Sequence, residues 1–291
     1  MDNKKLNIKL ISKERSIEIK DEYKLLGIEG IESADYEINV VSNSQYDGGI
    51  LNNKRIASRT INISAEYTGK GDFVLQRERL INFFNPINSG SLIINFGEIY
   101  DENAKQIDYE VENFKINQGN IYDKLSFSAT LICPDPYFKD VNETKKVIAV
   151  WNGGLNFKFK LPTSFKIKSI EKDGGFQCPI DIKGQVESPL EIEFEGPAEK
   201  PCITNVTTGE FIRINRSLTK DETLYINTAY GNKVVKIRDG NGERNAFNYI
   251  DLSSVFFSLA PGKNIVKYSS ANDKITEQNI SIKFKNRYLG L

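Results

Sequence analysis

Histidine is absent from all 291 residues of this chain. Because histidine is the usual general base near neutral pH and the commonest metal ligand, its absence excludes Ser-His-Asp and Cys-His nucleophilic sites and histidine-containing zinc sites. Glycoside hydrolysis stays open, since it requires only two carboxyl groups about 5 to 10 Å apart. The 39 aspartates and glutamates are dispersed, and no pair stands out. We therefore expect no enzyme, no metal and no cofactor, with a carboxylate-dependent glycosidase as the remaining catalytic alternative.

Cysteine is scarce, and no charge of one sign prevails. The three cysteines are widely spaced, at Cys133, Cys178 and Cys202. An odd number at wide spacing predicts reduced thiols that pack as small apolar side chains. Lysine and arginine together number 39, as do the acids, so no basic excess favours a grip on nucleic acid.

Long apolar runs are also missing. No stretch approaches the ~20 apolar residues of a membrane-spanning helix. The first residues, Met1-Asp2-Asn3-Lys4-Lys5, lead into alternating apolar positions without the apolar region of a signal peptide. We expect no membrane association, and a protein made and kept soluble in a cytoplasm.

Apolar residues recur at every second position through the first half of the chain. This period of two places each set on one face of a β-sheet, with the polar residues between them facing water. The phase slips between Val111 and Phe114, which predicts a bulge or a strand end there. The pattern predicts a split β-barrel or β-sandwich whose strands contain Leu6/Ile8/Leu10, Ile17/Ile19, Tyr36/Ile38/Val40, Ile61/Ile63/Ala65/Tyr67, Leu92/Ile94/Phe96, Tyr109/Val111 and Leu125/Phe127/Ala129/Leu131/Cys133.

One helix interrupts this pattern. Asp72 is placed to cap it by accepting hydrogen bonds from the first-turn amides, and Pro86 ends it. Its apolar residues fall on one face at helical spacing, which predicts that the helix covers an open face of the sheet. These residues are Phe73, Leu80, Ile81 and Phe84.

A domain boundary is predicted at Asp135-Pro136, because proline cannot continue a central strand and favours extended geometry before it. The predicted organisation is a first domain over 1–138, a polar linker over 139–146 and a second domain over 147–291. Strands in the second domain alternate with hairpin tips such as Asp173-Gly174-Gly175 and Asp239-Gly240-Asn241-Gly242, whose residues tolerate positive φ. The chain is thus predicted to be mainly β, with an antiparallel β-sandwich in its second half.

Six short motifs follow one another in a fixed order. The first half contains Ala129-Thr130-Leu131 followed by Asp135-Pro136-Tyr137. The second half contains, in order, Thr207-Thr208-Gly209-Glu210, Ile226-Asn227-Thr228, Phe256-Phe257-Ser258-Leu259-Ala260-Pro261-Gly262 with Asn264, and Tyr288-Leu289-Gly290. Their shared order and spacing resemble those of distal tail proteins, the ring-forming baseplate components of long-tailed bacteriophages.

The resemblance implies a galectin-like fold for the second domain and a structural role at the virion tail tip. It implies a homohexameric ring closed by the N-terminal domains, with the C-terminal domains pointing outward. The implied partners are a tail tube protein, a tail-associated hub protein and receptor-binding proteins, with DNA only as a passenger through the lumen. The chain would be made in the bacterial host cytoplasm.

Two basic segments are candidates for subunit or partner contacts. Lys54, Arg55 and Arg59 form the most basic short segment of the first half, and Arg77 and Arg79 lie on the polar side of the helix. Arginine pairs well with carboxylates across interfaces. The alternative interpretation, a solvated loop and a solvated helix face, stays open at this point.

Trp151 and Tyr225 are the candidates for a second function. A galectin-like fold can bind sugar through an aromatic platform, so a carbohydrate-binding module that recognises a cell-wall or capsule glycan is the alternative function. Trp151, the single tryptophan, stands beside the glycines of Asn152-Gly153-Gly154, where packing at the start of the domain is the competing interpretation. A fold does not by itself confer lectin activity.

Overall fold

The computed structural model describes residues 6–20, 22–42, 45, 47–97, 103–117, 119–120, 123–149, 176–271 and 279–291. The described chain consists of antiparallel strands and a single α-helix, so the predicted mainly β fold with one helix is confirmed. It divides into two compact units, one of 1–142 with 287–291 and the other of 143–286.

The first unit contains a nine-stranded antiparallel sheet, a separate two-stranded hairpin and one α-helix. The strand order of the sheet is β2-β1-β7-β8-β9-β6-β3, with β10 pairing both β8 and β21, and the described strands do not close into a barrel. The bounds are β1 (Leu6–Ser12), β2 (Arg15–Ile19), β3 (Tyr23–Glu29), β4 (Tyr36–Ser42), β5 (Gly49–Ile56), β6 (Arg59–Tyr67), α1 (Phe73–Phe83), β7 (Ser89–Phe96), β8 (Lys105–Asn117), β9 (Ser126–Cys133), β10 (Phe138–Asp140) and β21 (Arg287–Tyr288).

Apolar residues at every second position explain why one face of this sheet is buried. Strand β6 buries Ile61, Ile63, Ala65 and Tyr67 on one face, as the period of two predicts. The register between β8 and β9 shifts after Val111, where the phase slip predicted a bulge. One apolar core on this face unites the strands and the helix.

Helix α1 begins and ends close to the predicted positions. Asp72 caps it by accepting a hydrogen bond from the Val74 amide at 2.8 Å. The buried face consists of Leu80, Phe83 and Phe84, whose spacing of three and four residues forms one narrow stripe. The prediction that Phe73 and Ile81 are core is wrong, because their side chains are 50% and 49% exposed. Phe73 is the first residue of the helix, and Ile81 is turned by about 100° from Leu80.

A two-sheet sandwich forms the second unit. One sheet has the order β11-β20-β13-β16-β17-β18 and the other β12-β19-β14-β15, with a single apolar core drawn from both. The bounds are β11 (Thr144–Ala149), β12 (Phe176–Ile182), β13 (Glu191–Glu195), β14 (Cys202–Asn205), β15 (Phe211–Arg213), β16 (Thr223–Asn227), β17 (Val234–Asp239), β18 (Gly242–Asn245), β19 (Gly262–Ser269) and β20 (Asn279–Phe284), with a short 3-10 helix at Phe247–Tyr249.

The predicted hairpin at 239–242 joins β17 to β18. Asp239 pairs with Gly242, which has a φ of 124°, and the Asn241 amide donates to the Asp239 carboxylate at 2.8 Å. The predicted hairpin Asp173-Gly174-Gly175 lies outside the described residues.

The chain passes from the first unit to the second between β10 and β11. Residues 138–140 form β10 in the first unit, and residues 144–149 form β11 in the second. Residues 287–291 then return to the first unit. Their position after the last strands of the second domain predicts that they belong to it, but they pack on the first unit.

All three cysteines are free thiols, as predicted. Cys133 and Cys202 are buried, and Cys178 is half-buried. Burial raises the pKa of the Cys133 thiol to about 12.

Candidate functional site

The β4–β5 hairpin stands apart from the nine-stranded sheet. Its two strands pair only with each other among the strands described. All side chains are exposed except that of Ile56, which is half-buried. The exposed fraction of its large apolar side chains ranges from 46% to 71%; these are Tyr36, Ile38, Val40, Val41, Ile50 and Leu51. Because an isolated two-stranded hairpin is marginally stable in water, this element is suited to packing against a partner.

The cross-strand register separates two faces of the hairpin. We call one the apolar face; its cross-strand pairs are Tyr36 with Ile56, Ile38 with Lys54, and Val40 with Leu51. The opposite face, which we call the polar face, pairs Glu37 with Arg55 and Asn39 with Asn53, and only its end near the turn is apolar, where Val41 pairs with Ile50. A register shift after Asn39 inserts one extra residue in β5 and keeps Leu51 on the apolar face.

Lys54 and Arg55, predicted as one basic contact segment, point to opposite faces. The Lys54 ammonium lies 5.1 Å from the centroid of the Tyr36 ring on the apolar face. The Arg55 guanidinium forms an ion pair with Glu37 at 2.5 Å on the polar face. Lys54 has no ion-pair partner within the described part of the chain, so its charge is available to a partner.

Arg59 is interior, and the expectation that it contacts a partner is wrong. It is 1% exposed and donates from Nε to the carbonyl of Pro136 at 2.9 Å and from Nη1 to those of Gly30 and Ser33 at 2.6 and 3.2 Å. Its Nη2 donates to the carbonyl of Leu289. Burial lowers the pKa of the guanidinium. Arg59 therefore cross-links four backbone segments inside the first unit, and no solvent-facing group is left for an interface.

The C-terminal residues 287–291 pack on the first unit, and we call them the strap. The sequence did not predict this contact. Arg287 pairs with Asp135 at 2.7 Å, and the Leu291 amide donates to the Ile31 carbonyl at 3.0 Å. A Cβ on Gly290 would lie 1.3 Å from the carbonyl oxygen of Glu32, so only glycine fits there.

Arg77 and Arg79 lie on α1, with different partners. Arg79 contacts Glu22 at 3.5 Å and the Ser16 carbonyl at 3.4 Å. Arg77 is exposed and has no partner among the residues described. The five predicted contact residues are therefore not assembled into one basic surface.

Tyr225 is half-buried in the middle of the larger sheet of the second unit, and the Arg238 side chain lies over one face of its ring. The Arg238 guanidinium lies 4.8 Å from the ring centroid, where a sugar would have to stack. Glu193 and Lys236 are its cross-strand neighbours. Trp151 lies outside the described residues.

The carboxyl groups of the described residues do not favour glycosidase chemistry. A glycosidase needs an acid that stays protonated near neutral pH, which requires a raised pKa. Within the described ranges, each carboxyl group with a clear shift has a lowered pKa; these are Asp135, Glu222, Glu243 and Asp251. For Asp135, burial raises the pKa, but the ion pairs with Lys139 and Arg287 outweigh it.

In the part of the chain that the structure covers, no helix has the length and apolar character needed to span a membrane.

Comparison with known proteins supports one family. Residues 183–288 match the family model of the siphovirus-type tail component, C-terminal domain. No curated protein matches the chain.

Solved structures extend the similarity over nearly the whole chain. The crystal structure of SPP1 Dit (gp 19.1), described as a hub adsorption apparatus protein of phages that infect Gram-positive bacteria, superposes with a TM-score of 0.67 at 13% identity, covering 97% of this chain and 99% of that one. A chain of the phage P2 baseplate in its activated conformation, in structures with Ca and with Sr, has a TM-score of 0.52 at 14% identity, covering 96% of this chain and 98% of that one. The resemblance found in the sequence is thus confirmed: residues 183–288 match a siphovirus-type tail component domain, and the chain as a whole has a Dit-like fold.

Proposed function

We propose that six copies of this protein form a closed ring at the tail tip. The ring joins the tail tube protein on one side to the tail-associated hub protein on the other. Its second units hold receptor-binding proteins at the periphery, and its lumen lets DNA pass. The protein acts by shape and self-association and carries no catalytic activity.

The exposed hairpin is the observation that carries this proposal. Ile38, Val40 and Leu51 on its apolar face are more than half exposed. Exposed apolar patches on soluble proteins mark interaction sites, and a two-stranded ribbon needs a packing partner for stability. A neighbouring subunit supplies that partner in a ring.

Closure follows when the same contact is repeated. A head-to-tail contact between two different surfaces of one chain generates a ring when the rotation closes. The number six comes from the resemblance to distal tail proteins. The similarity to SPP1 Dit, described as part of a hub adsorption apparatus, supports the placement at the tail tip.

Size-exclusion chromatography with light scattering tests the proposal. A single species of about six times the 33.0 kDa chain mass is expected. A monomer at all concentrations contradicts the ring. A monomer that also binds glycans on an array would favour the carbohydrate-binding alternative. The Arg238 side chain over one face of the Tyr225 ring counts against that alternative.

A further inference from the structure

We propose that the strap fixes the direction in which the β4–β5 hairpin leaves the first unit, and that Arg59 transmits this restraint to the hairpin. The restraint lies within one chain, because the strap, Arg59 and the hairpin all belong to the first unit. Its effect on assembly rests on the proposed function. The strap then acts as a positioning element for a surface that it does not itself form.

The hairpin joins the first unit through two short segments. Residues 30–35, which we call the collar, lead from β3 into β4, and Ala57 and Ser58 lead from β5 into β6. The Ala57 amide donates to the Asp35 carbonyl at 2.9 Å and closes this base. The collar belongs to no strand among those described, so other groups must hold its backbone.

Arg59 and the strap are the groups that hold the collar. The Arg59 guanidinium donates from Nη1 to the carbonyls of Gly30 and Ser33 at 2.6 and 3.2 Å. Between these two, the Ile31 carbonyl accepts from the Leu291 amide of the strap at 3.0 Å. The collar is thus bound by a buried cation and by the strap backbone at neighbouring positions.

The strap also touches the collar directly. A Cβ on Gly290 would lie 1.3 Å from the Glu32 carbonyl oxygen and 3.2 Å from the Ser33 amide nitrogen, so the two backbones are in contact there. On the other side, Ile31 and Ala34 are only 6% and 2% exposed. The collar is therefore held between the strap and the interior of the first unit.

Arg59 joins two of the six sequence motifs to the collar, Asp135-Pro136-Tyr137 and Tyr288-Leu289-Gly290. Its Nε donates to the Pro136 carbonyl at 2.9 Å, and its Nη2 donates to the Leu289 carbonyl. A guanidinium presents its donors in a fixed, planar fork. Movement of the Leu289 carbonyl therefore changes the direction of the donors that bind the collar.

This arrangement makes the direction of the hairpin depend on the strap. The hairpin pairs with no other strand among those described, so its base sets its direction. The Leu291 hydrogen bond and the Gly290 contact come from the strap directly, and the strap also helps to orient Arg59. Without the strap, the two strands keep their pairing with each other, but the base that carries them loses its support.

Double electron–electron resonance tests the restraint separately from the ring. Nitroxides are attached at Ser42→Cys, the last residue of β4, and at Glu110→Cys, an exposed residue of β8. The background is Ile38→Asp with Cys178→Ser, which leaves two buried native thiols. Labelled chains are diluted with unlabelled chains, so that each measured distance lies within one chain. The distance distribution should be about twofold broader in Gly290→Ala.

Two further variants complete this measurement. Gly240→Ala is the matched control, since a Cβ at Gly240 meets nothing within 4 Å. Arg287→Gln removes the ion pair between the strap and Asp135 and should broaden the distribution by a smaller amount, with the glycine at position 290 retained. If both strap variants give a distribution as narrow as that of Gly240→Ala, the inference is overturned, whether or not the protein forms a ring.

Light scattering tests the link to assembly in chains that retain Ile38. Gly290→Ala should raise the concentration at which the ring dissociates about tenfold, because a hairpin that is not held must be ordered on binding. Gly240→Ala should leave this concentration unchanged. A broader distance distribution with an unchanged dissociation concentration overturns the role of the strap in assembly while the ring stands. A monomeric wild type overturns the ring itself, and the distance distributions then decide the restraint alone.

Discussion

The guanidinium of Arg59 donates a hydrogen bond to the carbonyl oxygen of Leu289, which lies 230 residues later in the chain. This contact joins the start of β6 to the C-terminal strap of the first unit. Arg59 also donates hydrogen bonds to the carbonyls of Gly30, Ser33 and Pro136. One buried cation thus links its own strand to three other backbone segments.

Replacing this cation should strongly destabilise the first unit. Arg59→Met leaves buried carbonyl groups without a donor, and we expect a loss of about 3 kcal/mol in the free energy of unfolding. Urea denaturation measures it. Arg77→Met is the matched control, because Arg77 is exposed without a partner in the described residues, and its effect should stay within about 0.5 kcal/mol. Equal effects of the two substitutions would contradict the assigned role.

The strap should depend on Gly290. Gly290→Ala places a methyl group against the Glu32 carbonyl, where a Cβ would lie at 1.3 Å, so the strap must move. We expect a loss of about 1 to 3 kcal/mol and faster release of the C-terminal residues by carboxypeptidase. Gly240→Ala is the control, since a Cβ there meets nothing within 4 Å. A normal digestion rate for Gly290→Ala would refute this account.

Acid should destabilise the second unit through Glu222. Burial raises the pKa of Glu222, but bonds from the Thr219 amide, Arg216 and Arg244 outweigh it, and the folded pKa lies below the ordinary 4.5. Because the unfolded state then binds more protons, this stability is fully present above about pH 4.5 and is lost as the pH falls through the folded pKa.

Glu222→Gln measures that contribution. Unfolding from pH 3 to 7 should show a smaller loss of stability on acidification in Glu222→Gln than in the wild type. Glu187→Gln, at an exposed position, should keep the slope of the wild type. An unchanged slope in Glu222→Gln would show that the carboxylate is not stabilised by folding.

Assembly should depend on the apolar face of the hairpin. Ile38→Asp introduces an unpaired charge into the proposed contact, and we expect loss of the ring with an unchanged melting temperature of the subunit. The control, Asn39→Asp, places the same charge on the polar face and should assemble normally. Light scattering and circular dichroism separate the two effects. Intact rings in Ile38→Asp would count against the hairpin as a contact.

Thiol labelling should follow burial. At pH 8, Cys178 should react with a maleimide well before Cys133, because Cys133 is buried and its pKa is raised to about 12. Mass spectrometry of the labelled peptides identifies the order. Unfolding in urea should abolish the difference between the two sites. Early labelling of Cys133 in the native protein would show that β9 opens readily.

Strand positions were predictable because burial of one sheet face imposes a local pattern. The alternation of Ile61 and Ile63 predicted β6, and the slip after Val111 predicted the register shift in β8. Both signals lie within a few neighbouring residues. The same alternation in Tyr36 and Ile38 predicted a strand, but it does not tell whether the apolar face meets the core or a partner.

Contacts between distant residues left no such local signal. Arg59 follows a basic segment, which predicts an exposed side chain, whereas the carbonyl groups that bind it come from three distant segments, at residues 30–33, 136 and 289. For α1, helical spacing identified the apolar residues, yet Leu80 and Ile81 are adjacent and only one of them faces the sheet. Which side of a helix is covered is decided by tertiary packing.

The return of residues 287–291 to the first unit has a consequence for synthesis. Because translation proceeds from the N-terminus, the whole second unit must be made before the strap reaches Arg59. The first unit therefore completes its fold last, although most of it is translated first. A chain truncated anywhere in the second unit lacks this final closure, so its Arg59 is left with three of its four carbonyl acceptors.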